Sequence, residues 1–238
     1  MTLVLFQIIV QSVSSTLHWL GFATGIRGAV SSRPHRWSWL IGSAVFALVW
    51  LFAIMLLAAN DAFRSNVWPP RIPLALALTL TFGYLLLLSA TFRAIVAAIP
   101  QHWLIAIQTF RILGGLFLVR YAQGELPGVF ALAAGIGDVA VGLSAPLVAY
   151  WWYAGKPYAR RAAIAWNLFG MADLINAVAI GALIGGSGIV FPVVMIPIYA
   201  VPRAFLMHSY SLIGLLRQTS RQPAAQPALG LEALPSSR

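Results

Sequence analysis

The chain has 238 residues, of which 61% are hydrophobic and 8% charged, with no cysteine and a formal net charge of +10. Soluble domains carry about 25% charged residues, so this composition excludes an ordinary soluble globular protein. The missing cysteine excludes disulfides, thiolate catalysis and Cys-ligated zinc or iron–sulfur centres. The basic residues are spread over short connections and form no patch or stripe, which argues against nucleic acid as a partner.

Apolar runs near 20 residues recur along almost the whole length, and the mean hydropathy is +0.87. Such runs predict transmembrane helices. The expected architecture is all-α: a polytopic helical membrane bundle over residues 1–216, with about seven spans, followed by a disordered cytoplasmic tail at 217–238. The first basic residue is Arg27, beyond the first apolar run. A cleavable signal peptide opens on a basic stretch, so the first run reads as a retained helix.

That first run, 3–24, is punctuated by Gln7, Gln11, Ser12, Ser14, Ser15, Thr16 and His18. A helix of this kind turns its polar face to neighbouring helices rather than to lipid. The second is expected at 38–59, and the connection after it, rich in Pro and Arg, reads as a rigid turn. The third runs over 72–92, followed by FRAIVAAIP as a short extension or interfacial turn; the fourth covers 101–119 and the fifth 126–152. The sixth covers 162–184, and after a GGSG turn the seventh covers 188–214, interrupted by Pro192, Pro197 and Pro202. Each of those prolines removes a backbone donor and frees carbonyls that can line a cavity. A six-span alternative lays the first helix in the interface.

Orientation follows from the basic residues. With the N-terminus outside, the inner connections hold Arg27, Arg33, Arg36, Arg93, Lys156, Arg160, Arg161, Arg217, Arg221 and Arg238, against Arg64, Arg71 and Arg120 outside. Ten against three is a positive-inside bias that places the C-terminus inside.

The fourth, fifth and sixth runs each carry polar groups near their middle. Gln108 and Arg111 lie in QTFRILGGLFLV, Asp138 in the fifth run, and Asn167, Asp173 and Asn176 in the sixth. Arg111 is ten residues into its helix, Asp138 twelve and Asp173 eleven, so all three lie at similar depth, with Arg203 near the middle of the seventh. An ionisable side chain in hydrocarbon costs about 2.5–3.5 kcal/mol on insertion scales, so it requires a partner, water or a ligand. Small residues at helical spacing accompany the acids: Ala131, Gly135, Gly142 and Ala145 around Asp138, and Gly170, Ala177 and Gly181 around Asp173. Such stripes permit close helix approach.

The functional expectation is transport or sensing of a small solute or ion, with Gln108, Arg111, Asp138, Asn167, Asp173, Asn176, Arg203 and His208 as the ligand site or ion path. A carboxylate–histidine proton path from Asp138 or Asp173 to His208 belongs to that reading. One alternative is a membrane redox protein holding haem b between His18 and His208, which fall at similar inner depth. Another is a structural or assembly subunit whose polar network fixes packing. The expected partners are the lipid bilayer and a small solute or ion, and a homo-oligomer is left open; the leading reading needs no cofactor or metal. No phosphate-binding loop, His-Glu-x-x-His zinc pattern or Gly-x-Ser-x-Gly elbow is present, so no enzyme class is indicated. The seventh run has no lysine, which excludes a retinal Schiff base.

The blocks QTFRILGG, GELPGVFALAAGIGD and AWNLFGMADL resemble those of a group of bacterial multi-spanning membrane proteins without an assigned activity. The resemblance covers roughly residues 100–210 and implies a bacterial cytoplasmic (inner) membrane location. It implies no substrate and no catalytic residue.

Overall fold

The computed structural model describes residues 2–63, 70–183 and 189–219, and among these every regular element is helical. Helix α1 (Thr2–Ala29) is followed by α2 (Arg33–Ala59), which starts with Pro34 in its first turn, where a missing N–H costs nothing. Helix α3 (Arg71–Leu85) tightens into a 3₁₀ turn over Leu86–Leu88. Ser89 then leaves helical geometry, and its hydroxyl accepts the N–H of Phe92 at 3.3 Å, capping a separate short helix, α4 (Ala90–Ala98). The third expected helix thus divides at a serine cap, and FRAIVAAIP belongs to a helix of its own.

From Gln101 to Ala122 the chain forms one 22-residue rod. It consists of α5 (Gln101–Ala106), a 3₁₀ stretch (Ile107–Gly114) and α6 (Gly115–Ala122). Helices α7 (Gly128–Tyr153) and α8 (Ala159–Leu183) follow. The last segment turns at a cis Phe191–Pro192 bond, forms a π-helical turn over Ile196–Ala200 and ends in α9 (Val201–Thr219). The wide turn lies directly before Pro202, whose ring cannot continue a regular ladder. The GGSG turn, part of the Pro/Arg-rich connection and residues 220–238 lie outside the described residues.

Among the described residues, five helices are long and apolar enough to cross a membrane: Arg33–Ala59, Arg71–Leu88, Gln101–Ala122, Gly128–Tyr153 and Ala159–Leu183. The sequence led us to expect seven. The two expected spans not among these are α1, punctuated by glutamines and hydroxyls, and the last segment, which carries three prolines, Arg203 and His208.

Side-chain placement is inverted relative to a protein in water. Leu48 and Phe52 on α2 are each 67% exposed, whereas Gln108, Asn167 and His208 are 0% exposed. On α1, Gln7, Gln11 and Ser14 point inward while Phe6, Ile9, Val13, Leu17 and Leu20 point outward. Water would favour the opposite arrangement, and hydrocarbon favours this one.

Helix α7 is the hub, packing against both the 101–122 rod and α8. Its small residues Ala131, Gly135, Gly142 and Ala145 are all buried in these contacts. Two apolar layers result. One gathers Phe117, Phe130, Ala134, Leu174 and Ala204 with the π-helical turn; the other gathers Ile105, Val141, Ala163, Trp166 and Leu215. On each of the four elements the chain passes from one layer to the other, and the polar residues fall in between.

Candidate functional site

The site begins with the geometry of the rod's middle. A 3₁₀ helix has three residues per turn, so side chains at i and i+3 eclipse. Gln108, Arg111 and Gly114 therefore share one line along the 3₁₀ stretch, and all three are buried. In a regular α-helix, at about 100° per residue, each i+3 side chain would be turned by about 60° from the one before, so the three would not line up. Runs of this kind longer than three or four residues are uncommon, and here the stretch spans eight.

Arg111 is 2% exposed and has four protein partners. Its Nε donates to Asp138 Oδ1 at 2.6 Å, and its Nη2 to Asp173 Oδ2. Its Nη1 donates to the Gly170 carbonyl at 3.1 Å and to His208 Nε2 at 3.0 Å. The guanidinium thus joins three helices: α7 through Asp138, α8 through Asp173 and Gly170, and α9 through His208.

Two glycines make room for it. A Cβ on Gly114 would collide with the Asp138 side chain, and one on Gly170 would lie 2.5 Å from the His208 ring and 3.0 Å from Arg111 Nη1. Neither glycine has a positive φ, so the demand is for space and not for backbone freedom.

His208 accepts from Arg111 at Nε2, so its proton resides on Nδ1, which donates to Asn167 Oδ1 at 2.9 Å. Asn167 Nδ2 in turn donates to the Ala163 carbonyl at 2.7 Å and to Ser211 Oγ at 2.9 Å. Gln101 Nε2 also donates to Ser211 Oγ. A continuous chain of hydrogen bonds therefore runs from the two carboxylates, through Arg111, His208 and Asn167, to Ser211 and Gln101. A cavity of about 10 Å³ lies beside Arg111 and Asp138, lined otherwise by apolar groups such as Phe110, Leu174 and Ala204. That volume suits a single water-sized particle.

The structure brings Arg111, Asp138, Asn167, Asp173 and His208 into this one network. Gln108 sits one turn away, its Nε2 donating to the Ala204 carbonyl at 2.9 Å. Asn176 is exposed on α8 and stands outside the network. Arg203 belongs to a second polar cluster. Its guanidinium donates to Tyr199 O (3.1 Å), Ser15 Oγ (3.2 Å) and Gln11 Oε1 (3.0 Å), and lies 4.0 Å from the Tyr199 ring centroid.

The carboxylate-to-histidine path considered from the sequence runs through Arg111, which occupies the space between the acids and His208. For the haem reading, both ring nitrogens of His208 are engaged by protein groups, so iron ligation would displace Arg111 or Asn167. His18 donates from Nδ1 to the Ser14 carbonyl at 2.6 Å and packs edge-on against Phe110.

Sequence reasoning passed over Gln101 and Ser211. Both carried a usable signal: Ser211 lies three residues after His208, and Gln101 seven before Gln108, spacings that keep each pair on one helical face.

No curated protein and no solved structure matches the chain. Residues 69–216, more than half of the sequence, match a family described as Domain of unknown function (DUF8737). All members of the Arg111 network lie within that stretch, whereas α1 and α2 lie outside it. By that match the chain belongs to the DUF8737 family.

Proposed function

We propose that the chain is an integral protein of a bacterial cytoplasmic membrane that transports or senses a small solute or ion at the Arg111 site. In this reading it spans the bilayer seven times, with the N-terminus outside and the C-terminus inside. Helix α1 supports the larger count: its 28 residues extend about 42 Å, beyond the ~30 Å of a bilayer core, and it turns apolar side chains outward. The excess of basic residues on alternate connections supports the orientation.

The observation that carries the functional reading is a count of charges. One guanidinium, four of whose five N–H groups are bonded, serves two carboxylates. The cluster therefore has one negative charge more than Arg111 neutralises. In hydrocarbon-like surroundings such a charge requires a counter-charge. A proton or a small monovalent cation supplies it, and its exchange is the event the site can perform. Asp173 is the exchangeable group, because it is less enclosed than Asp138.

Purified protein in liposomes containing a pH-sensitive or a sodium-sensitive dye provides the test. Under an imposed potassium diffusion potential, proton or sodium flux is expected in wild type. Asp173→Asn should remove it while the protein stays monodisperse. Unchanged flux in Asp173→Asn would reduce the network to a packing device.

A further inference from the structure

The free oxygens of the Arg111 cluster decide which counter-charge it can take. Asp138 bonds Arg111 through Oδ1 and Asp173 through Oδ2, so among the described residues each carboxylate keeps one oxygen without a protein hydrogen bond. Asp138 Oδ2 lies against Gly114 of the rod, in the space that a Cβ there would fill. Asp173 Oδ1 occupies the corresponding space beside Gly137 of α7. Both free oxygens therefore sit in glycine notches, and the two notches belong to different elements.

Hard metal cations gather about six or more oxygen ligands around themselves. The cavity of about 10 Å³ beside Asp138 adds room for one water, and its lining apart from Arg111 and Asp138 is apolar. The remaining ionisable neighbour, His208, has both ring nitrogens committed to Arg111 and Asn167. Among the described residues no group of three or more His, Asp or Glu side chains is placed to hold a metal ion. The Arg111 guanidinium, bonded to both carboxylates, also repels a second full cation set beside them. A proton needs one oxygen, no coordination shell and no added volume, and it cancels the surplus charge. We propose that the counter-charge exchanged at this site is a proton carried by the Asp138–Asp173 pair, to the exclusion of metal cations of the sodium class. An O–H bond forms on a free carboxylate oxygen with a proton taken from water, and breaks when that proton returns to water. This identification rests on reading the Arg111 cluster as an ion site.

The test is infrared spectroscopy of the full-length protein in detergent at neutral pH, as differences between wild type and each of Asp173→Asn and Asp138→Asn. Asp61, Glu125 and Glu232 are common to all three and cancel. Wild type should show the C=O band of one protonated carboxyl, shifted in D2O and unchanged when sodium replaces choline at constant ionic strength. Both variants should lack it, because one guanidinium then faces one carboxylate. A band that fades as sodium is added would overturn the assignment in favour of a metal site. So would a band retained in Asp138→Asn, or a wild type with no band beyond those of the variants. If a variant fails to fold, the sodium titration of wild type alone still decides between proton and metal. The measurement is made at equilibrium, so absent flux in liposomes would refute transport without altering this result. A sodium-sensitive band would refute the proton and leave transport standing.

Discussion

The two arginines inside the bundle solve the same problem in opposite ways. Arg111 has two carboxylates, a carbonyl and an imidazole around it, supplied by three different helices. Arg203 has hydroxyls, an amide oxygen, a carbonyl and an aromatic face, supplied largely by α1 and its own helical turn. The first centre holds more negative than positive charge, and the second only positive charge. Across both, the two arginines balance the two aspartates, so the bundle interior is neutral as a whole while each centre is not.

The contrast predicts unequal consequences when each guanidinium is removed. Arg111→Met strands two buried carboxylates, and breaking a buried ion pair from one side costs about 3–5 kcal/mol. Arg203→Met strands no acid and loses hydrogen bonds worth about 0.5–1.5 kcal/mol each. Size-exclusion profiles and thermal melts should therefore show Arg111→Met largely lost and Arg203→Met merely weakened. Adding Asp138→Asn and Asp173→Asn to Arg111→Met should recover most of the folded yield, because the stranded charges are then gone. Equal losses for the two single variants would erase the distinction between the centres.

The next effect sharpens how the acid-rich centre is built. Gly170→Ala places a methyl group against the His208 ring and the Arg111 guanidinium, both held on several sides. Overpacking of a tight interior costs about 1–3 kcal/mol. The variant should melt earlier than wild type, and its loss should shrink in a His208→Ala background, where the ring is absent. An undiminished loss in that background would place the clash with Arg111 rather than with the histidine.

Much of this organisation was legible in the chain because hydrocarbon makes ionisable residues conspicuous. Arg111, Asp138 and Asp173 stand out within apolar runs, and helical rise alone places them at one depth. Asn167 and His208 stand out in the same way as polar groups within apolar runs, although rise alone does not assign their helix faces. Three features were not legible. The switch from α to 3₁₀ geometry at Ile107 has no distinctive residue, yet it aligns Gln108 with Arg111 and Gly114. The widened turn before Pro202 is signalled by the proline, but its consequence, presenting Tyr199 and Arg203 to α1, depends on which helix lies opposite. Likewise the polar face of α1 was evident from Gln7, Gln11 and Ser14, while its partner is fixed only by tertiary packing. Asp138 and Arg203 looked equally available for pairing, and the sequence offers no rule that assigns them to separate centres.

The smallest effect concerns Asn176, the candidate residue that stands outside the Arg111 network. Asn176 lies three positions beyond Asp173, close enough in sequence to suggest a common site, yet its side chain is exposed while Asp173 faces Arg111. It lies near exposed Ile175 and within two turns of Phe169, on a surface that is otherwise apolar. A lone amide facing lipid gains nothing there, so Asn176→Ala should change stability by no more than about 0.5 kcal/mol and leave ion flux intact. The informative exception would be a change in oligomeric size by light scattering in detergent. Asn side chains facing lipid bind helices together when a second helix offers a partner. If Asn176→Ala dissociates a larger species, this face of α8 joins two copies of the chain, and the two arginine centres work inside a dimer. If size and flux are both unchanged, each copy contains the complete pair of centres.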